Sequence, residues 1–413
     1  MHRTPRAPFT VARLALLTLG SVALFACGAS RPHTAPVTGP VIDMEEMHIA
    51  AQRDGAGGVT FEATDAEQLF RQGLASVRAG DCAAAVQSYD RIATEFSGSR
   101  YASPALYNAG LCLTGTGELD AAAGQYARLI RELPRSPDVR DASFQLAALD
   151  VRLEHWDDAI EIATGLLART DLTPDTRLEA MARMAQAQLG AGRVEDAATE
   201  ANEALRYFRT RPEDAPVRDD YFVAAVNYVL AETLRMQSEA IVIPVGTVPE
   251  VRPVLEARAQ LLLRAQRAYF DTIGRTDPEW ASAAGYRIGN MYDTFWHALI
   301  QAPVPPPPRP LEGEDLAFYQ ERYHAELSAL VQPLLRHAIR YWELTLLMVE
   351  RTGVRSEWTA RIRADLERIR ARLGVTDPLA PPASPAASPA ASDPTETSPS
   401  VAPTPEVSPD GGV

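Results

Sequence analysis

Between residues 61 and 212, small residues recur at a regular interval among the apolar positions, which predicts a repeated pair of helices. They occupy one equivalent place in four successive units, spaced by 37 or 38 residues: Gly73, Gly110, Ala147 and Ala185. Seven residues further on, each unit has a turn position: Gly80, Gly117, Glu154 and Gly192. Glycine at such a turn supplies a positive φ and ends the first helix, so Glu154 departs from the pattern.

The second helix of each unit carries its own small residue, five positions after the turn: Ala85, Ala122, Ala159 and Ala197. In the first two units a tyrosine follows four residues later, at Tyr89 and Tyr126. Two helices approach closely where both carry a small residue, and the tyrosine ring fills the space one turn away. Because a single hairpin cannot bury its own apolar face, the pattern predicts hairpins that stack on one another.

This pattern resembles the tetratricopeptide repeat. The residues that carry the resemblance are Gly73, Gly80, Asp81, Ala85 and Tyr89, followed by Gly110, Gly117, Ala122, Tyr126 and Pro134. The resemblance implies an all-α solenoid of helix hairpins, with four repeats over residues 62–212. The period is longer than usual, and in this form residues 62–170 are similar to two bacterial envelope proteins, the Tol–Pal-associated cell-division coordinator and the lipoprotein of the β-barrel assembly machinery.

Residues 213–373 predict further helices of less regular arrangement. The expected segments are a helix over 219–240, a loop over 241–253, a helix over 254–273, a first helix around Gly289, a Pro-rich insertion over 301–310, an extra helix near 316–330, a partner helix over 337–349 and a capping helix over 358–373. Ala338 and Trp342 have the alanine–aromatic spacing of the second helices, so we expect them opposite Gly289.

Residues 1–26 resemble the signal of a bacterial lipoprotein. Three arginines precede an apolar run over 14–26 that is too short to span a bilayer comfortably. The run ends in Leu-Phe-Ala-Cys-Gly, which resembles the lipobox and implies that Cys27 is lipidated and begins the mature chain. Since no Asp follows Cys27, the resemblance favours the outer membrane. The alternative is an ordinary secretory signal with an accidental cysteine.

Two further segments have compositions that do not predict a packed structure. Residues 27–61 are rich in Gly, Pro, Thr and Ala, and we predict a tether there. Residues 374–413 contain no aromatic residue and no Arg, which is typical of a disordered tail. Half of the 32 prolines lie in this tail and in the insertion over 301–310.

The charged residues exclude several mechanisms. The formal net charge is −14, and all 40 basic residues are Arg. Without lysine the chain can form neither the phosphate-binding lysine of a P-loop nor a Schiff base. A net acidic chain also argues against nucleic acid as the main partner.

No motif for catalysis or for a metal stands in the sequence. The seven His residues form no His-Glu-x-x-His pattern, and there is no Cys-x-x-Cys, no Gly-x-Ser-x-Gly and no dinucleotide fingerprint. His155 is expected to be exposed at a repeat turn. We therefore predict a chain that is not an enzyme, with no catalytic residue, metal or cofactor and no small-molecule substrate.

An aromatic ladder is the main candidate for binding. Phe70, Tyr107 and Phe144 are spaced by one repeat, each three residues before the small residue of its first helix. In the tetratricopeptide family that helix face lines the concave groove, and arginines at the rim can bind a carboxylate. The predicted partner groove comprises Phe70, Leu74, Arg78, Tyr107, Leu111, Phe144, Arg152, Tyr286 and Asn290. The alternative is that these rings belong to the core between repeats.

Cys82 and Cys112 lie at the start of one predicted helix and late in the next, which should pack antiparallel. An exported compartment permits disulfides, so these two residues form either a disulfide between the first two units or two small buried thiols.

These features lead to one expected function with two alternatives. We expect a non-catalytic interaction scaffold, anchored in the outer membrane through Cys27 and facing the periplasm, that binds envelope proteins or peptides of an assembly or cell-division complex. One alternative is a structural component of a trans-envelope motility or secretion machine. The other is a cell-wall enzyme or its direct activator.

Overall fold

A computed structural model describes residues 46–53, 59–211 and 220–373 of the 413-residue chain. The predicted signal segment, the lipidation site Cys27 and the predicted tail over 374–413 lie outside the described residues. They remain predictions from the sequence.

The described residues form two strands followed by thirteen helices. The strands are β1 (Met47–Arg53) and β2 (Val59–Asp65). The first eight helices are α1 (Ala66–Arg78), α2 (Cys82–Glu95), α3 (Ala102–Thr116), α4 (Leu119–Glu132), α5 (Val139–Arg152), α6 (Trp156–Leu167), α7 (Pro174–Gly190) and α8 (Val194–Thr210). The remaining five are α9 (Asp220–Glu239), α10 (Val248–Ile273), α11 (Pro278–Ile300), α12 (Gly313–Thr352) and α13 (Glu357–Leu373).

Helices α1 to α8 form four hairpins, each packed against the next, and this confirms the predicted all-α solenoid. The contact that joins each of the first two hairpins is a ring lying on a glycine. A Cβ added to Gly73 would lie 2.5 Å from the ring of Tyr89, and one added to Gly110 would lie 2.6 Å from the ring of Tyr126. Both tyrosines are fully buried, so the ring occupies the volume that any other side chain would need.

The four turn positions share one backbone conformation. Gly80, Gly117 and Gly192 have φ values of 78°, 85° and 73°, and Glu154 has a φ of 61°. A residue with a Cβ is strained in this left-handed region, whereas glycine is not. Glu154 therefore adopts the glycine conformation of the repeat at a cost in free energy.

Strands β1 and β2 pair as an antiparallel hairpin before the first helix. The register runs from Met47 opposite Asp65 to Arg53 opposite Val59. This differs from the tether expected over 27–61, because residues 47–53 and 59–61 are strand. Asp65, the last residue of β2, also caps α1, since its Oδ1 accepts a hydrogen bond of 2.7 Å from the amide of Gln68.

The C-terminal helices repeat the ring-on-glycine contact of the first hairpins. Trp342 of α12 is fully buried, lies directly over Gly289 of α11 and donates a hydrogen bond of 2.9 Å from Nε1 to the carbonyl of Tyr286. The predicted pairing of Trp342 with Gly289 is therefore confirmed. Ala338, one turn earlier, is also fully buried.

Two expected helix boundaries are wrong. Helix α10 begins at Val248 rather than at 254, because Thr247 and Glu250 form a capping box before it. In this capping box the Thr247 amide donates a hydrogen bond of 2.8 Å to Oε2 of Glu250. Helix α12 runs unbroken over 40 residues with Pro333 inside it, where two helices were expected. Ala329, whose carbonyl the proline leaves unpaired, is exposed, so water can take the place of the missing amide.

Buried charges connect α9, α10 and α11. The carboxylate of Glu232, 4% exposed, lies 2.8 Å from Arg235 Nη2 and 3.1 Å from Arg287 Nε. The buried hydroxyl of Tyr269 donates to the same carboxylate. Since each charge has an oppositely charged partner, this cluster fixes how the three helices pack.

Cys82 and Cys112 form a disulfide with a Cα–Cα distance of 5.7 Å. Of the two alternatives that the sequence left open, the structure has the disulfide between the first two hairpins. Closing a loop of 30 residues stabilises the folded chain by about 3–4 kcal/mol through the entropy of the unfolded state.

We predict that Glu154→Gly stabilises the protein by about 1 kcal/mol, because glycine adopts the left-handed turn without strain. Chemical denaturation followed by circular dichroism measures the change. Gly117→Ala is the matched control, since no atom lies within 4 Å of an added Cβ and only the backbone penalty remains. It should destabilise by a similar amount, and equal stabilities for all three chains would contradict the assignment of strain to this turn.

We predict that Gly110→Ala lowers the free energy of unfolding by about 2–3 kcal/mol, because the added methyl group overlaps the buried ring of Tyr126. Gly124→Ala in α4 is the control, since its added Cβ meets open space and alanine favours a helix by roughly 1 kcal/mol. Urea unfolding curves compare the two variants. A Gly110→Ala protein as stable as Gly124→Ala would show that the ring does not fix the hairpin.

Candidate interaction surface

The aromatic ladder lies against the second helices and is only partly open to solvent. The Phe70 ring lies 5.7 Å from Tyr89 and 5.2 Å from Tyr101, measured between centroids. The Tyr107 ring lies 5.6 Å from Tyr126. Both ladder rings are half-buried, so one side of each contacts the core and the other side remains available.

The third ladder ring differs from the first two. Phe144 is 8% exposed and packs in a cluster with Leu166 of α6 and Ala180 of α7. A ring with so little open surface contributes mainly to the contact between hairpins, which favours the core alternative at this position. The ladder therefore presents aromatic surface from α1 and α3 rather than from all three repeats.

Apolar side chains extend this surface along α1 and α3. Leu74 and Leu111 lie one turn after Phe70 and Tyr107, and Leu111 is 42% exposed. Val77, one turn beyond Leu74, is also 42% exposed. We call this surface the first-helix face, and its members are Phe70, Leu74, Val77, Tyr107 and Leu111.

The two predicted rim arginines are free to bind a ligand. Arg78 at the end of α1 and Arg152 at the end of α5 are exposed. Neither forms an ion pair with any residue in the described part of the chain, whereas Arg91 and Arg128 pair with glutamates four residues on. A guanidinium without an internal partner can bind a carboxylate with two parallel hydrogen bonds.

Tyr286 and Asn290 do not join this surface. Tyr286 lies on α11, where its ring is 5.3 Å from Trp358 of α13 and 6.4 Å from Trp342 of α12. Burial, together with the nearby Asp365, raises the pKa of Tyr286. Asn290, one turn later on α11, is half-buried. Both residues belong to the packing of the C-terminal helices.

A second apolar surface, which the sequence pattern did not predict, lies between the start of α10 and the first half of α12. Val248 and Leu330 are 58% and 77% exposed there. The surface is lined by Val248, Val251 and Leu255 of α10 and by Tyr323, Leu327 and Leu330 of α12. The spacing of three and four in both groups was the available signal. This spacing did not predict the surface, because α10 was expected to begin at residue 254 and α12 was expected to be two separate helices.

Asp150 is the carboxyl group whose environment most resembles an active site. It is 4% exposed, its Oδ1 lies 3.6 Å from Nδ1 of His155, and burial raises its pKa to about 6, with Asp158 adding to the effect. His155 precedes α6 at an exposed turn, as expected. No motif residue that could act as a nucleophile accompanies the pair, so we assign it no chemistry.

Among the described residues there is neither a metal site nor a membrane-spanning helix. No three His, Cys, Asp or Glu side chains within them are placed to hold a metal ion. None of the described helices combines the length and the hydropathy needed to cross a bilayer.

Comparison with known proteins identifies one repeat directly. The tetratricopeptide repeat family matches residues 104–136, which are most of α3 and α4 with the turn between them. No curated protein matches the chain. Residues 104–136 are thus a tetratricopeptide repeat, and the hairpins around them form an all-α solenoid of the same type.

Several solved structures align with parts of the chain at low identity and low TM-score. A tetratricopeptide repeat protein from Parabacteroides merdae is 15% identical, with 66% of this chain and 98% of that chain covered and a TM-score of 0.33. A protein of tetratricopeptide repeats from Bacteroides fragilis is 13% identical, with coverages of 75% and 99% and a TM-score of 0.29. A MamA chain from Desulfovibrio magneticus is 13% identical, with coverages of 49% and 96% and a TM-score of 0.32.

We predict that Asp150→Asn stabilises the protein at pH 7.5 by about 1–2 kcal/mol. Burial raises the pKa of Asp150 from its usual 3.8 to about 6, so its charge opposes folding above pH 6 and not below pH 4. The wild-type protein should therefore lose stability between pH 4 and 6 relative to the variant. Melting temperatures across this range measure it, with Asp120→Asn, an exposed carboxylate in the first turn of α4, as control. Parallel pH profiles would contradict the effect.

Proposed function

We propose that the chain is a non-catalytic scaffold that binds segments of other proteins on the first-helix face. The proposal extends to an envelope assembly or cell-division complex, with the scaffold anchored through Cys27 in the outer membrane and facing the periplasm. The tetratricopeptide fold supports the general role, because its stacked hairpins present a rigid surface to a peptide.

The observation that carries the proposal is the exposure of large apolar side chains on ordered helices. Leu111 and Val77 are each 42% exposed beside the half-buried rings of Tyr107 and Phe70. Aromatic and aliphatic side chains held by packing lose little entropy on binding, so they are suited to anchor a partner.

The charge at the end of this face indicates the chemistry of the partner. Arg78 is exposed and has no ion pair among the described residues. A peptide with apolar residues along its length and a carboxylate at one end would satisfy both parts of the surface. We infer that the preferred partner segment is apolar with an acidic group near Arg78.

The proposed anchor is supported by the sequence alone. The apolar run over 14–26 and the cysteine that ends it support lipidation at Cys27. Several acyl chains on one residue hold a protein firmly at a membrane, and they confine its search for partners to that surface.

Cys27→Ala should release the protein from the membrane fraction while its helix content stays unchanged.

We predict that a photo-crosslinking amino acid in place of Leu111 captures a protein partner in cells, at a yield roughly fivefold above that of the same group in place of Gly124. Gly124 is exposed on α4, outside the first-helix face, and serves as the control. Arg78→Glu should reduce the crosslink from position 111 by repelling the partner's carboxylate. Equal yields from both positions would contradict the first-helix face as the binding site.

A further inference from the structure

One face of the β-hairpin carries apolar side chains that the described residues leave uncovered. Met47 and Ile49 of β1 are 52% and 67% exposed, and Val59 and Phe61 of β2 are 54% and 72% exposed. The strand register places all four on the same face, since Ile49 pairs with Ala63 and Phe61 pairs with Ala51. We call Met47, Ile49, Val59 and Phe61 the hairpin outer face.

The opposite face of the hairpin is held against the helices. His48 lies with its ring 4.8 Å from Phe96, and its Nδ1 is 3.9 Å from Glu95 at the end of α2. Thr64 is buried, and the next residue caps α1. The hairpin is therefore fixed to the first repeat by one face and presents the outer face in a defined direction.

We expect another molecule to contact this face. A two-stranded hairpin is only marginally stable in water by itself, and exposed apolar patches of this kind mark interaction sites. The four side chains expose roughly 450 Å² together, so two copies packed face to face would bury about 900 Å², below the roughly 1,200–2,000 Å² of a stable interface. The area disfavours a second copy as the occupant.

The position of the hairpin in the chain favours a lipid surface instead. Glu46, where the described chain begins, is 19 residues after Cys27. A chain of 19 residues spans at most about 65 Å, so an anchor at Cys27 would keep the hairpin within that distance of the bilayer. For a protein already held at the membrane, a few apolar side chains are enough to keep the hairpin on the bilayer. The acyl chains already offset the entropy that is lost when the protein associates with the membrane.

We propose that the hairpin outer face lies on the phospholipid surface next to the anchor, with its four apolar side chains at the level of the headgroups and upper acyl chains. Arg53, exposed on the same face at the end of β1, would lie near a phosphate. The proposal rests on the lipid anchor of the proposed function. Its consequence is a second point of attachment that gives the solenoid a fixed orientation at the membrane.

A fluorescence experiment on the full mature lipoprotein tests the proposal. Ile49→Cys and Phe61→Cys place a single reactive thiol on the outer face, since Cys82 and Cys112 are bonded to each other and Cys27 is acylated. Ala50→Cys, exposed on the other face, is the matched control. Each thiol is labelled with an environment-sensitive dye, and the protein is inserted into phosphatidylethanolamine–phosphatidylglycerol vesicles with brominated acyl chains.

We predict that brominated lipid quenches the dye at positions 49 and 61 about twofold more than at position 50, with emission shifted to shorter wavelength at the same two positions. Equal quenching at all three positions would overturn the proposal. Emission that shifts with protein concentration, without quenching by lipid, would identify a second copy as the occupant and would also overturn it.

Two further readouts distinguish the proposed lipid anchor from the proposed membrane contact of the hairpin. Vesicle flotation and the mass of the Cys27 peptide report acylation directly. An acylated protein that floats but shows no preferential quenching contradicts the hairpin proposal alone. A protein without acyl chains that is still quenched at positions 49 and 61 contradicts the anchor and supports the hairpin, and one that neither floats nor is quenched contradicts both.

Discussion

A large ring lying on a residue without a side chain is the contact on which both halves of the described chain depend. It occurs at Gly73 with Tyr89, Gly110 with Tyr126, Gly190 with Trp156 and Gly289 with Trp342. Because the ring fills the volume where a Cβ would lie, the two backbones approach closely and the helices cannot slide along each other without a clash. Each contact thus sets both the distance and the register of a helix pair.

That register decides which side chains face outward. Phe70 and Tyr107 lie three residues before their glycines, so each ring rests on the tyrosine that fills the same hairpin. The following leucine, one turn later, then lies outside this contact, as the exposure of Leu111 shows. The core alternative for the first two ladder rings is only partly fulfilled, because each ring packs on a tyrosine on one side and stays open to solvent on the other. The surface available to a partner is therefore the solvent-facing side of the same rings whose other side packs within the hairpins.

The sequence predicted those features that a local contact determines, such as the pairing of Gly289 with Trp342. The alternation of apolar and polar residues over 59–64 also predicts a strand, but the Gly-rich composition before it masked the signal. The continuity of α12 could not be read from the chain, because Pro333 ends a helix only where the carbonyl of Ala329 has no other partner. The loss of open surface at Phe144 depends on two helices distant in sequence, and no local pattern encodes it.

The disulfide between Cys82 and Cys112 also defines how the chain would carry mechanical load. A protein held at its N-terminal end and pulled by a bound partner transmits tension along its backbone. The covalent bond passes that tension from the start of α2 directly to α3, so residues 83–111, which it encloses, bear none of it. About 100 Å of extended chain is thereby withheld from stretching. Helix α2 and most of α3 therefore cannot unravel under force, and yielding must begin either in the β-hairpin and α1, before Cys82, or in the chain after Cys112.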